Sequence, residues 1–228
     1  MSSLKAICLL SGGLDSATAL GVALKSSYDV SALTVNYGQL HVREIEFATK
    51  IAQYFKIEHV IINVPMPWGG SALLDSRIEL PKNRDENQMA SGIPTSYVPA
   101  RNTIFLSLAA SFAEARDARV IFIGANAIDY SGYPDCRSEF FDAFEEAIRR
   151  GTKCGSEGKS LIIDAPLLHM SKPDIIQLGI SLGIPYELTW SCYQGGETPC
   201  GQCDSCKLRA KGFREARLED PFILKARA

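Results

Sequence analysis

Five short runs of apolar and β-branched residues punctuate the chain, at 5–10, 30–36, 59–64, 119–124 and 161–165. Such runs, bounded by turn residues, read as buried strands. Between them the period changes. Val42, Ile45, Ala48, Ala52 and Phe55 recur at spacings of three and four, one face of a helix. The stretch 104–113 is apolar nearly all round, which predicts a buried helix. Phe140, Phe141, Phe144, Ala147 and Ile148 form another stripe. Ser171 is placed to cap a further helix, with Pro173 in its first turn, Asp174 three residues on and Gly183 at its end.

Strands alternating with helices predict a parallel sheet covered on both faces. Right-handed crossovers then make an α/β, doubly wound five-stranded sheet, expected in the order 3-2-1-4-5. Its ligand belongs at the carboxyl ends of the strands, where the order reverses beside the first strand. The division expected is an α/β domain over 1–185 and a C-terminal segment over 186–228 packed on it. Residues 65–99 interrupt the rhythm with five prolines (65, 67, 81, 94 and 99), three glycines and a polar run at 82–88. Such an insertion is a lid, a binding loop or plain surface.

Composition narrows the classes. Of 228 residues, 46% are hydrophobic and 22% charged, an ordinary globular balance. The net charge is −2, from 24 basic and 26 acidic side chains. That argues against a surface built to hold DNA or tRNA, leaving room for a local basic patch. The apolar run after Lys5 is too short for a secretory signal, and no run reaches the length of a membrane span. A cytoplasmic protein is expected. Seven cysteines, four of them crowded into 192–206, fit metal binding in a reducing compartment better than disulfides.

The first strand runs into Leu9, Leu10, Ser11, Gly12, Gly13, Leu14, Asp15 and Ser16, then opens a helix through Ala17, Thr18 and Ala19. There an anion meets free backbone N–H groups and the positive end of the helix dipole. The glycines let phosphate oxygens approach the backbone and allow positive φ. Ser11 and Ser16 add hydroxyl donors. Asp15 repels phosphate; it caps the helix or helps hold Mg²⁺ through water. No Gly-Lys-Ser/Thr follows, so this is not a Walker loop, and the dinucleotide Gly-x-Gly-x-x-Gly is absent.

Cys192, Cys200, Cys203 and Cys206 are spaced C-x7-C-x2-C-x2-C. Four thiolates suit a closed, structural zinc site that pins the tail and does no chemistry. The competing reading is an iron–sulfur cluster, which uses similar spacing. Cys8 reads as a core residue, and Cys136 and Cys154 as free thiols.

The string Ser-Gly-Gly-Leu-Asp-Ser at the first strand resembles the PP-loop of the ATP pyrophosphatases. That resemblance implies cleavage of ATP between its α and β phosphates, adenylation of a substrate oxygen, and a nucleotide site over 9–19. Four further stretches narrow it: Tyr97-Val98-Pro99-Ala100-Arg101-Asn102; Gly124-Ala125-Asn126 with the segment 129–137; Trp190-Ser191-Cys192-Tyr193; and the segment 200–209. Together they resemble the 7-cyano-7-deazaguanine synthase family of queuosine biosynthesis, over about 6–216. The resemblance implies zinc on the four cysteines, often a homodimer, and conversion of 7-carboxy-7-deazaguanine, ammonia and ATP to the nitrile. No nucleic-acid or membrane partner is expected.

Activation explains the motifs. A carboxylate is a poor electrophile until its oxygen becomes a leaving group, and the amide formed with ammonia needs a second activation. Positioning and charge can carry such steps without a protein nucleophile. The scattered histidines at 41, 59 and 169 fit that. Within this reading Arg101 meets phosphate or the acyl-adenylate, or else forms a surface salt bridge. Tyr130 or Tyr133 stacks on the base, Asp135 accepts its N–H groups, and Arg137 pairs with the carboxylate. The plainer reading of this last segment is a turn in which Asp135 caps the following helix. The rival functions are a PP-loop tRNA-thiolating enzyme and a zinc-ribbon regulator that binds nucleic acid.

Overall fold

Successive side chains of a strand point to opposite faces of its sheet, and the first strand fills both. The structure is a computed structural model that describes residues 3–128 and 133–227. Strands β1 (Lys5–Leu9), β2 (Asp29–Asn36), β3 (Glu58–Asn63), β4 (Val120–Ile123) and β5 (Ile162–Asp164) are all parallel, in the order β3-β2-β1-β4-β5. This is the order expected, and each strand ends within one residue of its apolar run.

Ala6, Cys8 and Leu10 face one layer, formed by α1 (Leu14–Lys25), α2 (Arg43–Phe55), α7 (Lys172–Ser181) and α8 (Asp204–Glu215). Ile7 and Leu9 face the other, formed by α4 (Arg101–Arg116) and α5 (Ser138–Gly151). The short helices α3 (Glu86–Ala90) and α6 (Lys153–Ser156) lie in connections, and α9 (Pro221–Arg227) follows α8. Ser171 caps α7 as expected, its hydroxyl accepting the Asp174 N–H at 3.4 Å. Gly183 turns the chain away at φ +72°, and Ile184 donates back to the Gly179 carbonyl at 2.9 Å.

The stripe on α2 differs from the expected one. Val42 precedes the helix and is 55% exposed, whereas Phe47, Ala48, Ile51 and Ala52 are buried. The helix has two apolar neighbours. Ala48, Ile51 and Ala52 meet the sheet, and Phe47 stacks at 5.5 Å on Trp190 and 5.8 Å from Phe222 of the tail.

The 65–99 insertion is docked at both ends. Met66, Leu73 and Val98 bury against Val35 and Tyr37 at the end of β2. Further on, Lys82 bridges to Cys203 in antiparallel fashion, and the Asn83 N–H donates to the Gln202 carbonyl at 2.9 Å. Arg84 forms an ion pair with the buried Asp204, and Lys207 donates to the Arg84 carbonyl at 2.7 Å.

The tail shares the sheet's core. Phe213 and Ala216 of α8 pack with α7 and Tyr186. A Cβ at Gly212 would lie 2.3 Å from Lys172 Cγ, so the helices cross where one has no side chain. Arg209 clamps the tail, with Nε and Nη2 donating to Asp220 at 2.6 and 2.8 Å and Nη1 to Thr189 Oγ1 at 2.8 Å. Among the described residues no helix is long and apolar enough to cross a membrane.

Candidate active site

A cavity opens at the carboxyl ends of β1, β2 and β4, beside the point where the strand order reverses. The glycine loop forms its floor, and its two glycines answer different needs. Gly12 has φ +84°, and a Cβ there would sit 2.1 Å from the Glu44 carbonyl oxygen. It allows α2 to lie directly on the loop. Gly13 has an ordinary extended backbone, with φ −79° and ψ 164°. It borders the cavity, where a Cβ would meet nothing nearer than Ser11 Oγ at 3.3 Å.

Hydroxyls set the loop's curvature. Ser11 Oγ donates to Ser16 Oγ at 3.0 Å, Ser16 Oγ donates to the Gly13 carbonyl at 3.0 Å, and the Gly13 N–H donates to Ser11 Oγ at 3.3 Å. From outside, the Trp190 N–H holds the Gly12 carbonyl at 2.9 Å. No side chain caps α1. Its first-turn N–H groups are the kind a helix leaves unpaired, and they open where an anion is welcome.

Asp15 does not cap the helix. Its carboxylate accepts from Lys172 Nζ at 2.7 and 2.9 Å. Both side chains are largely buried. Gly124, just past β4, would place a Cβ 2.7 Å from the Ser16 nitrogen, so a larger residue there would push on the loop. Thr18 and Ala19 lie further along α1, buried in the core, and Thr18 Oγ1 lies 2.8 Å from the Tyr186 hydroxyl.

Arg101, the first residue of α4, lines the opposite wall, 5.9 Å over the Tyr37 ring. Burial works against its charge. Tyr37, Tyr133, Tyr193 and Glu44 outweigh that and hold its pKa above the usual value. Tyr133 also lines the cavity; its hydroxyl lies 3.1 Å from Ser96 Oγ and its ring 5.5 Å from Tyr97. Asp135 sits behind this wall. Its Oδ2 accepts the Asn102 N–H at 3.1 Å, and Asn102 Nδ2 returns a bond to the Asp135 carbonyl at 2.9 Å. It thereby caps α4 rather than the helix that follows it. Arg137 is exposed at the start of α5. Tyr130 lies outside the described residues.

Two further wall residues belong to none of the sequence motifs. Lys172 is one. Glu44 is another: Gln39 Nε2 donates to its Oε1 at 2.8 Å, and Gln39 Oε1 in turn accepts the Tyr37 N–H at 2.9 Å. Burial pushes the Glu44 carboxyl up to about 7, against the pull of Arg101 and Gln39. Asn126 lines the cavity too, donating to the Leu167 and Met170 carbonyls at 2.8 and 2.7 Å. Among the described residues no histidine borders it.

The four cysteines converge. Their sulfurs all lie within 4.8 Å of one another, and Cys200 and Cys206 are 4.0 Å apart. Backbone N–H groups of Gln194 and Cys200 point at Cys192 Sγ, both at 3.3 Å. The segment can bind a metal ion. Cys8 and Cys136 are buried elsewhere, and burial lifts both thiols to about 12.

The sequence model of the family described as queuosine biosynthesis protein QueC matches residues 5–217. The chain belongs to the QueC family. The 7-cyano-7-deazaguanine synthase of Trichodesmium erythraeum is 53% identical over 222 residues, covering 96% of this chain and 100% of that protein. That of Thermoplasma acidophilum is 52% identical, covering 97% and 92%. Among solved structures, a 4-thiouridine synthetase–RNA complex with bound ATP shares the fold, with a TM-score of 0.51 and 19% identity over 98% of this chain and 52% of that one. The loop, the Arg101 wall and the cysteine segment of this QueC chain all fall inside the matched region.

Proposed function

We propose that the cavity is where this chain carries out its family's reaction, the ATP-dependent conversion of 7-carboxy-7-deazaguanine and ammonia to 7-cyano-7-deazaguanine through an adenylated intermediate. The observation that carries this reading is the uncapped start of α1 facing a cavity with a buried cation, Lys172, and a half-buried one, Arg101, on its walls.

ATP lays its β and γ phosphates on the backbone from Ser11 to Ser16, and the remaining loop residues, from Leu9 to Ala19, shape the floor. The departing pyrophosphate is dianionic or more, so the helix dipole and Lys172 stabilise it as the bond to the α phosphate lengthens. Arg101 stands across the cavity and meets the α phosphate or the acyl-adenylate. Mg²⁺ neutralises phosphate charge when bound, and Asp15 is the loop's carboxylate that would meet it.

The base takes the aromatic part of the cavity, against Tyr133 and Tyr37. Asp135 reads its N–H groups or fixes the wall that does, and Arg137 and Tyr130 belong to the same segment. In the tail the sulfur spacing supports zinc. A tetrahedral site with Zn–S near 2.3 Å has sulfurs about 3.8 Å apart, and a four-iron cluster would spread them further. Cys192, Cys200, Cys203 and Cys206 would hold the zinc, which would fasten the tail and supply no chemistry. The working form in this reading is a cytoplasmic homodimer acting on small molecules.

The test is direct. Purified protein with the acid, ATP and ammonium should release pyrophosphate and form the nitrile, with about one zinc per chain. Pyrophosphate release that needs RNA instead of the acid, or a brown protein rich in iron, would overturn it.

A further inference from the structure

Ammonia reaches an enzyme at neutral pH almost wholly as ammonium, which has no lone pair to attack with. Some group must take its proton beside the activated carboxyl. The residue must border the cavity, keep an oxygen free and stay fixed relative to the phosphate loop.

Glu44 meets all three conditions. It borders the cavity. One carboxylate oxygen is held by Gln39, itself buried and fastened to the Tyr37 backbone, and the other accepts no hydrogen bond from the described residues. Its own carbonyl lies against Gly12, so close that a Cβ there would sit 2.1 Å away. The first turn of α2 and the phosphate loop are therefore one rigid unit. The charged and titratable groups facing Glu44 are Arg101 from α4 and Tyr37 from the loop after β2, with Tyr133 and Tyr193 around Arg101. Arg101 forms no ion pair with it, which leaves the carboxylate open to a cationic visitor.

We propose that Glu44 binds ammonium and takes its proton before attack on the acyl-adenylate. One N–H bond breaks and its proton passes to the carboxylate. The freed lone pair forms the C–N bond to the acyl carbon. The C–O bond to AMP breaks, its electron pair leaving with AMP, and the second proton lost from nitrogen goes to water. No oxidant or reductant is needed. A carboxyl titrating near 7 can accept this proton and release it again.

The inference rests on the proposed reaction, and the test separates the two. Wild type and Glu44→Gln are compared with ammonium and with hydroxylamine, a nucleophile uncharged at neutral pH, while pyrophosphate exchange driven by the acid reports adenylation. The variant should lose roughly a hundredfold in efficiency toward ammonium and keep that toward hydroxylamine within a few fold. Its ammonium activity should climb steadily with pH, where wild type levels off once Glu44 is ionised. Equal loss toward both nucleophiles with exchange intact, or an unshifted pH profile, overturns the role of Glu44. Absence of exchange in the wild type overturns the reaction itself.

Discussion

The glycine loop and the cysteine segment meet at Trp190, and they keep their shapes by opposite means. The loop is nearly all backbone. Its curvature comes from a positive φ at Gly12 and hydroxyl bonds of 3.0 Å, and α2 and β4 crowd in where Cβ atoms are missing. The cysteine segment has little regular structure before α8, and its four sulfurs converge from separate turns on one point. Adding an atom breaks the first; removing one breaks the second. A sequence change of the same size therefore acts on different quantities in the two places.

Loss of the metal should be the largest effect. Cys203→Ser, or dialysis against a strong chelator, should cost several kcal/mol. It should loosen 82–90 together with 200–215, because Lys82, Asn83 and Arg84 fasten to this segment. Hydrogen exchange across both stretches checks it. Unchanged protection after complete metal removal would show that the segment stands on its own contacts.

Next comes the pair that closes the loop from the side. Lys172→Met leaves Asp15 with no cation at 2.7 Å and should cost about 3–5 kcal/mol. It should also stop pyrophosphate release. Adding Asp15→Asn to it should restore much of the stability and none of the turnover. A double variant no more stable than the single one would show that the pair is incidental to folding.

The glycines test the comparison most finely. Gly12→Ala forces a side chain into left-handed backbone, about 1–2 kcal/mol, and against α2 as well. Gly13→Ala should change stability by no more than about 0.5 kcal/mol and still slow ATP turnover. Gly13→Val should abolish turnover with the fold retained. Thermal melts beside a pyrophosphate assay distinguish them, and equal melting losses at both positions would erase the distinction drawn between them.

Asp135→Asn should have only a small effect on stability. The amide still offers an oxygen to the Asn102 N–H, so only the charge at the start of α4 is lost, about 1 kcal/mol. The KM for the deazaguanine acid should rise roughly tenfold with ATP affinity unchanged. A melting shift with no change in KM would confine Asp135 to holding α4.

The five strands, their order, the loop and the cysteine cluster were legible because each is local. A strand is an apolar run, the order follows from crossover handedness, and both motifs lie within a few residues. What could not be read depends on distance along the chain. Lys172 carries no local signal, and its partner is 157 positions away. Glu44 lies between Val42 and Ile45 of the expected stripe and belongs to no motif. The misplaced α2 stripe has the same origin, since Phe47 packs on a tail no local window contains. One signal was available: residues just after the strand ends of a doubly wound sheet face its ligand. Gly124 sits there, whereas Lys172 opens α7, well past the end of β5. No such rule would have tied the insertion to the cysteines.

The bond from the Trp190 N–H to the Gly12 carbonyl also bears on time. Chains leave the ribosome amino end first, so the loop's residues emerge long before two of its fastenings, Lys172 and Trp190. A nascent or prematurely terminated chain carries the complete loop sequence without two of the contacts that set the loop's shape.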